Sequence, residues 1–404
     1  MNYALHTIAC RSKPGMRFLA IGTLVTACFA LAACGSKPKT EAGTARAARP
    51  EQADIFVGGD SGYHTIRIPA LITTRHGAVL AIAEGRKNNA DDHGPHDIVM
   101  RRSLDAGKTW APLRVIVHDG NNALNNPTLV ADRDTGTTWM LLIRTSTTKY
   151  RNDEAIARAR GRISDMWVMH SDDDGATWIG PADITASVTR PEWNRVVPGP
   201  GVGIQMHSGR MVIPCNHVID NIATDHVIYS DDHGKTWQLG GSTDSKTDED
   251  QLVELADGSL MLNIRNYREP GHRGISISKD GGLTWSPVVG DPMLVEPVCM
   301  ASFIRYTERP AFTKSRLLFS NPASQTHRMK MTVRASYDEG KTWPVAKLLN
   351  AGPSGYSCLA VLPDLKIGCL YERGQHSTVE KLTFARFSLE WLTGSTDSET
   401  ASGI

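Results

Sequence analysis

The sequence predicts an all-β protein folded as a six-bladed β-propeller, and three observations support this prediction. The pattern Ser-x-Asp-x-Gly-x-Thr-Trp occurs five times, starting at Ser103, Ser171, Ser230, Ser278 and Ser336. Short apolar or alternating runs of strand length separate the copies, without helical periodicity. The globular part, about 340 residues long, exceeds the usual limit for a single core, and radial repetition of small sheets avoids that limit.

Each copy of the pattern has the composition of a tight turn that follows a strand. The Asp carboxylate can accept hydrogen bonds from nearby backbone N–H groups, Gly permits a positive φ, and Trp offers a large face to bury. A calcium loop needs oxygen ligands at alternate positions, which the pattern lacks. We therefore interpret the copies as structural turns of five blades, and expect residues 54–57 and 382–387 to close the sixth.

The N-terminal region has the features of a secretion signal. Met16-Arg17 is followed by the apolar run 18–31, and Leu-Ala-Ala-Cys then ends at Cys34. The run is too short for an ordinary transmembrane helix, and its end resembles a bacterial lipoprotein box. We expect residues 1–34 to be a signal segment, with Met16 as an alternative start and Cys34 as the lipidated residue. The other interpretation is a plain secretory signal with a coincidental Cys.

This lipidation motif places the protein in the cell envelope, attached to a membrane only through its lipid. Gly35 lacks the acidic character of an inner-membrane retention signal, so the outer membrane is favoured. Residues 35–52 are polar and are expected to form a flexible tether. The propeller is expected over residues 53–392, and a polar tail over residues 393–404.

Charge and cysteine content exclude some functions and leave one question open. The formal net charge of +1 gives no electrostatic footprint for nucleic acid. The four cysteines of the globular part lack metal-ligand spacing, and the sequence does not decide between thiols and disulfides. They are Cys215, Cys299, Cys358 and Cys369.

A set of motifs outside the repeated turns links residues 54–391 to a known family. The motifs are Arg67-Ile68-Pro69, Asp248-Glu249-Asp250-Gln251, Leu262-Asn263-Ile264-Arg265, Arg328 and Gly355-Tyr356-Ser357. Together with the five turns, known as Asp boxes, they resemble the bacterial sialidase (neuraminidase) family. The resemblance implies a retaining exo-α-sialidase that acts on sialylated glycans, glycoproteins or glycolipids and needs no metal or other cofactor.

The resemblance implies that three arginines clamp the substrate carboxylate: Arg67, Arg265 and Arg328. A sialic acid carries a carboxylate on its anomeric carbon, and a guanidinium is a permanently charged planar fork that matches it. Arg334 is the substitute for Arg328. Arg86 resembles a family position that supports the substrate carboxylate or the O4 hydroxyl from the rim of the site.

The resemblance also implies that Tyr356 is the nucleophile and Glu249 its base. An anionic nucleophile would be repelled by the substrate carboxylate, whereas a phenol approaches neutral and then loses its proton to a neighbouring base. Asp248 and Asp250 depart from the Asn-Glu-Cys/Ser-Gln pattern usual in the family. Strand alternation is expected to point Asp250 away from the site.

The general acid is expected on the loop that follows Arg86. Aligning the arginine pair at 101–102 with that of the family assigns the role to Asp92, with Asp91 and Asp97 as competitors. A trans-sialidase would use the same residues with a different acceptor. The alternative from another class is a non-catalytic propeller that binds sialoglycans.

Overall fold

The architecture is built almost entirely from short antiparallel strands. The computed structural model describes residues 48–146 and 163–398, and the predicted signal segment, with Cys34, lies outside these residues. The first strand, β1 (Glu51–Val57), begins two residues before the predicted boundary of the propeller. It is the outermost strand of the sheet that closes the ring.

The first two blades follow directly. Blade 1 consists of β2 (Thr65–Thr73), β3 (Val79–Arg86), β4 (His96–Ser103) and β5 (Arg114–Val117). Blade 2 consists of β6 (Ala123–Ala131), β7 (Thr138–Thr145), β8 (Ser164–Ser171) and β9 (Ile179–Asp183). In each blade the first strand is innermost, and each later strand pairs antiparallel with the one before it. The outermost pairings, β4 with β5 and β8 with β9, each contain a register shift.

Blades 3 and 4 repeat this order. A short helix, α1 (Thr185–Val188), leads into blade 3. The inner edge of blade 3 is formed by β10 (Arg195–Pro198) and β12 (Ile204–Gln205), and β11 (Gly201–Val202) between them pairs with β6 of blade 2. The later strands of blade 3 are β13 (Met211–Ile219), β14 (Ile222–Ser230) and β15 (Gln238–Ser245). Blade 4 consists of β16 (Thr247–Glu254), β17 (Leu260–Asn266), β18 (His272–Ser278) and β19 (Val289–Val295).

A long strand joins blades 5 and 6. Blade 5 consists of β20 (Ser302–Thr307), β21 (Arg316–Pro322), β22 (Met329–Ser336) and the first half of β23 (Val345–Val361). Blade 6 consists of the second half of β23, β24 (Ile367–Arg373), β25 (Lys381–Phe387) and β1. The antiparallel pairing of β1 with β25 confirms the predicted closing strands.

The five Asp boxes connect the third and fourth strands of blades 1 to 5. In the first copy, the Asp105 carboxylate accepts from Thr109 N at 2.9 Å and from Thr109 Oγ1 at 2.6 Å. Ser103 Oγ donates to Asp105 at 2.8 Å and accepts from Gly107 N at 2.9 Å. The other four copies form the same bonds, and their common geometry agrees with the predicted structural turn.

The Asp boxes also lock each blade against the preceding one. The glycine of the third box, Gly234, has a φ of 85°, and a Cβ there would lie 2.2 Å from the Trp139 ring of blade 2. In the same way Gly175 faces Leu80 of blade 1, and Gly107 faces Phe384 of blade 6. Glycine is therefore required both by its backbone angle and by close contact between blades.

The hydrophobic core consists of layers between neighbouring blades. One layer joins Leu141 and Ile143 of blade 2 to Met211 and Ile213 of blade 3, all fully buried. Corresponding layers lie between the later pairs of blades. Because each blade packs only on its neighbours, the centre of the ring is free to hold polar side chains.

The C-terminal residues extend beyond the last strand. The helix α2 (Leu389–Thr393) begins at Ser388, whose side chain accepts from Trp391 N, and ends at the left-handed Gly394. Asp397, in the predicted polar tail, forms an ion pair with Arg316 of blade 5 at 2.8 Å. Among the described residues, no helix has the length and apolar character needed to cross a membrane.

Candidate active site

The innermost strands are irregular at one common level, near the face where they begin. The strand pairing shifts register at residues 67–70 of β2, 125–128 of β6, 248–251 of β16 and 354–357 of β23. Ile68, Asn126 and Glu249 have left-handed φ values of 60°, 55° and 47°. Such bulges re-aim side chains and are common beside active sites. Here they surround the candidate catalytic residues, so we call this the site face, and the opposite one the Asp-box face.

Tyr356 and Glu249 meet at the centre of the site face. The Tyr356 hydroxyl lies 2.5 Å and 2.6 Å from the two carboxylate oxygens of Glu249. The two residues are on different blades, 107 positions apart in the chain. The contact gives the phenol a base within direct hydrogen-bonding distance, as nucleophilic catalysis requires.

Tyr356 remains neutral in this environment. Burial and the negative charge of Glu249 raise the pKa of Tyr356 well above its ordinary value near 10, although the charges of Arg265 and Arg328 act in the opposite direction. The phenol therefore keeps its proton until a reaction draws on its oxygen. Glu249 is placed to accept that proton as the bond forms.

The three predicted clamp arginines surround the same tyrosine. Arg265 Nη1 donates to the Tyr356 hydroxyl at 3.1 Å and forms a short ion pair with Glu249. The guanidinium carbons of Arg67 and Arg328 each lie 5.5 Å from the centre of the Tyr356 ring. Three blades thus direct positive charge towards one point.

The alternative arginine, Arg334, has a different environment. Its side chain is nearly buried and donates to Asn321 at 3.1 Å. Its register partner in the next strand is Ala346, in the outer half of blade 5. The geometry therefore favours Arg328 over Arg334 as the third arginine.

Glu372 supports the first arginine and was not predicted from the sequence. Its carboxylate, fully buried, accepts from Arg67 Nε at 3.0 Å and from the backbone N of Tyr356 at 3.0 Å. It also accepts from Ile68 N at 3.2 Å. One side chain thereby fixes the clamp and the nucleophile relative to each other. The available signal in the sequence was a carboxylate at the end of the apolar run 367–371.

The loop between β3 and β4 places Asp92 against two arginines. Asp92 Oδ1 lies 2.6 Å from Arg86 Nη1 and 3.3 Å from Arg67 Nη1. The Asp92 side chain is 62% exposed. The competitors have other partners: Asp97 accepts from Tyr63 at 2.8 Å, and Asp91 accepts from the backbone N–H two residues later.

Arg86 lies below the surface, which corrects the predicted position at the rim. Its side chain is 1% exposed and pairs with the fully buried Glu84 at 2.7 Å. Glu84 in turn accepts from the backbone N of Asn126 at 2.8 Å, on the next blade. The β3 strand holds both residues on the same side because they are two positions apart. Arg86 therefore contacts Asp92 from beneath.

The ligand-free site favours the ionised form of Asp92. Partial burial opposes ionisation, but the charges of Arg86 and Arg67 outweigh this and lower the pKa of Asp92 below its usual range. A general acid must be protonated before it acts. Release of Asp92 from Arg67 would remove one of the two charges that keep it ionised.

Two further carboxyl groups are buried near Glu249. Asp225 of blade 3 and Asp250 of blade 4 are fully buried, and none of their carboxylate oxygens forms a hydrogen bond within the described part of the chain. Burial raises the pKa of both well above the usual range. Asp250 thus lies inside the protein, away from the open site as expected.

The four cysteines of the globular part are all buried free thiols. This result answers the question that the sequence left open. Burial raises the pKa of Cys358 and Cys299 to about 12, so these thiols stay protonated at neutral pH. They act as small packing groups.

Two features of the Asp-box face lie apart from this site. A cavity of about 400 Å³ is lined by the far ends of innermost strands, including Leu71, Val253 and Val361. In the described ranges, one group of three side chains could hold a metal ion, namely Asp132, Asp134 and His233. The Asp132 oxygens already accept from His233 at 2.8 Å and from Asp134 N at 2.9 Å, so the group is internally satisfied.

Comparison with known proteins first defines the class. Residues 77–370 match the family model described as a BNR repeat-like domain. A Hadza microbial sialidase, Hz136, superposes with a TM-score of 0.77 at 34% identity, covering 84% of this chain and 69% of that one. A sialidase from Trypanosoma rangeli, at 19% identity with a TM-score of 0.72, shares the fold.

The relatives then define the family. The sialidase of Micromonospora viridifaciens is 37% identical over 359 residues, which are 84% of this chain and 54% of the relative. An exo-alpha-sialidase of Aspergillus fumigatus is 31% identical over 366 residues, covering 82% of this chain and 86% of the relative. The chain belongs to the sialidase family. It spans 54% and 63% of the lengths of the Micromonospora viridifaciens and Bacteroides fragilis sialidases.

Proposed function

We propose that this protein is an exo-α-sialidase that hydrolyses terminal α-linked sialic acid with retention, through a tyrosyl-enzyme intermediate. The observation that carries the proposal is the contact between the Tyr356 hydroxyl and both oxygens of Glu249, at 2.5 Å and 2.6 Å, inside a ring of three arginines. The family relatives named sialidases support it. The substrates are sialylated glycans, glycoproteins or glycolipids.

Binding begins at the arginines. The substrate carboxylate is attracted to Arg67, Arg265 and Arg328, because guanidinium groups pair with carboxylates in a bidentate manner. To reach Arg67 it displaces Asp92, whose exposed side chain occupies that guanidinium in the ligand-free site. Asp92 then loses one stabilising charge, and its pKa rises. Substrate binding therefore favours the protonated form of Asp92, which is the form that a general acid needs.

In the first chemical step, Asp92 gives its proton to the glycosidic oxygen as the C2–O bond breaks. The Tyr356 oxygen forms a bond to C2, and the phenol proton passes to Glu249. In the second step, water attacks C2 and gives its proton to Asp92, while the Tyr356 oxygen leaves and takes back the proton from Glu249. Two displacements retain the configuration at C2.

The test is hydrolysis of a 4-methylumbelliferyl α-sialoside by the purified protein, with the released sugar followed by NMR. The proposal expects the α-anomer of free sialic acid as the first product, which mutarotates afterwards. Initial release of the β-anomer would contradict retention. A folded protein that binds sialic acid without releasing it would favour the non-catalytic propeller, and transfer to an added galactoside in place of hydrolysis would favour a trans-sialidase.

We also propose that the enzyme is held at the cell envelope by lipid on Cys34. The support is the Leu-Ala-Ala-Cys sequence and the polar stretch that follows it. In a diderm host, a radioactive fatty acid should label the wild type and not Cys34→Ala. An unlabelled wild-type protein would remove this proposal and leave the proposed activity untouched.

A further inference from the structure

Arg265 is contacted by two carboxylates of the chain at two different nitrogens. Its Nη1 pairs with Glu249, and its Nε lies 3.4 Å from Asp248 Oδ1. Asp248 and Arg265 are directly opposite in the pairing of β16 with β17. A substrate carboxylate that binds Arg265 is therefore a third anion at one guanidinium.

The contact between Asp248 and Arg265 depends on charge more than on hydrogen-bond geometry. Asp248 Oδ1 and Arg265 Nε are both buried, and neither has a hydrogen-bond partner among the described residues. The Asp248 carboxylate also bonds to the Tyr267 hydroxyl, and the Arg265 guanidinium lies 5.2 Å from the centre of the Tyr267 ring. Asp248 is thus fixed beside Arg265, and its effect on that arginine depends on whether it is ionised.

We propose that Asp248 is a positioning residue that competes with the substrate carboxylate for Arg265, so that the protonation state of Asp248 sets the affinity of the site. This inference rests on the proposed function, because it takes the sialic acid carboxylate as the ligand. Asp248 needs no contact with the substrate, since it acts through the arginine.

The groups around Asp248 determine when it ionises. Burial raises the pKa of Asp248 to about 7; the charge of Arg265 opposes this shift, and that of Glu249 adds to it. The charged and titratable groups that face it from its own and neighbouring strands are Arg265, Tyr267, Glu249, Glu296, Asp225 and Asp250.

The direction of the pH effect follows. Below pH 7 Asp248 is neutral, so Glu249 is the one ionised carboxylate of this pair at Arg265, and the arginine attracts the substrate carboxylate more strongly. Above pH 7 Asp248 is ionised, neutralises Arg265 and repels the incoming carboxylate. Affinity for an anionic ligand should therefore fall as pH rises through neutrality, and the chemical step, which does not involve Asp248, should keep its own pH profile.

The experiment compares Asp248→Asn with the wild type from pH 5.5 to 8.5. The Kd for 2-deoxy-2,3-didehydro-N-acetylneuraminic acid is measured by calorimetry, and KM and kcat with a 4-methylumbelliferyl sialoside. We expect the wild-type Kd to rise about fivefold or more between pH 6 and pH 8, as follows for one competing group that titrates near 7. In Asp248→Asn the rise should be less than about twofold, with the pH profile of kcat retained.

Two further variants complete the comparison. Asp257→Asn removes one carboxylate from the turn after the far end of β16, and should bind with the wild-type pH dependence. Tyr267→Phe removes a hydrogen bond that lowers the pKa of Asp248, so the midpoint of its Kd profile should move to higher pH. This variant tests the inference even if Asp248→Asn fails to fold.

Equal Kd-versus-pH slopes in the wild type and Asp248→Asn would overturn the inference. Uniformly weaker binding with an unchanged slope would do the same, because it would show a structural role only. A wild type that binds with the expected slope and does not hydrolyse would contradict the proposed function alone. Absence of binding at every pH would contradict both.

Discussion

The carboxylates of the Asp boxes and those near the catalytic centre have opposite environments. In an Asp box, both carboxylate oxygens accept hydrogen bonds from the same eight residues, and these bonds lower the pKa of Asp105 and Asp173 to about 2. Near the centre, the carboxylate oxygens of Asp225 and Asp250 are buried and have no hydrogen-bond partner on another described residue, and burial raises their pKa values. The carboxylate of an Asp box therefore finds its hydrogen-bond donors within its own turn, whereas the catalytic centre is assembled from side chains of distant blades. Stability should therefore depend more on the boxes, and activity on the centre.

The largest expected effect is on turnover, from Tyr356→Phe and Glu249→Gln. Each should lower kcat by about 10³-fold or more, because the nucleophile and its base act as one unit. The double variant should be little slower than either single one. Steady-state kinetics, with inhibitor binding to show that the arginines still function, checks this. Additive losses in the double variant would show that the two residues act separately.

Next is Arg67→Ala, which removes one clamp arginine. It should lower kcat/KM by about 10²–10³-fold, because a carboxylate would lose a charged partner and Glu372 would be left buried without one. An ester of the substrate carboxylate should already be a poor substrate for the wild type, and the variant should discriminate less between acid and ester. Equal wild-type rates on acid and ester would show that the clamp is misassigned.

On the other side of the comparison, Gly234→Ala should affect stability rather than turnover. The added methyl group meets the Trp139 ring, and φ is positive, so we expect a loss of about 2–4 kcal/mol in the free energy of unfolding. Gly258→Ala is the matched control: its φ is 82°, but nothing lies within 4 Å of the added atom, so backbone strain alone remains, about 1 kcal/mol. Urea denaturation measures both. Equal losses would contradict the interlocking of blades.

The smallest expected effect is that of Asp250→Asn on the slope of the free energy of unfolding plotted against pH. A carboxyl whose pKa is raised by folding keeps its proton in the native state and loses it in the unfolded state. Stability therefore falls as pH rises above the ordinary value near 3.8, by at most about 1.4 kcal/mol per pH unit for one group. Asp250→Asn should reduce this slope between pH 5 and pH 8, and the exposed Asp257→Asn should not. An unchanged slope would show that Asp250 ionises normally.

The sequence predicted the fold because the Asp box is a local structure. The hydrogen bonds among its Ser, Asp, Gly and Thr residues join positions no more than four apart, so the pattern alone indicates the turn, and five turns with closing ends indicate six blades. Of the clamp, Arg67 was recognisable from its Arg-Ile-Pro context. Glu372 was not, because its contact with Arg67 joins residues 305 positions apart.

The bulges of the innermost strands were also beyond sequence reasoning. Glu249 adopts a left-handed φ of 47°, a conformation that ordinary strand alternation does not predict. The burial of Arg86 was missed for a related reason: an arginine at a strand end resembles a surface residue until its partners, Glu84 and Asp92, are known. The Asp boxes could be predicted because their contacts join residues that are close in the sequence. The environment of the site residues could not, because it depends on residues that are close only in the folded structure.

The most direct test of the central claim is to trap the intermediate. A 2,3-difluoro sialic acid reacts in the first displacement and slows the second, because fluorine at C3 destabilises positive charge at C2. The wild type should gain the mass of one sugar, located on Tyr356 by peptide mass spectrometry, and Tyr356→Phe should gain none. An adduct on Glu249 or Asp92, or rapid turnover of the wild type without Tyr356 labelling, would contradict the account.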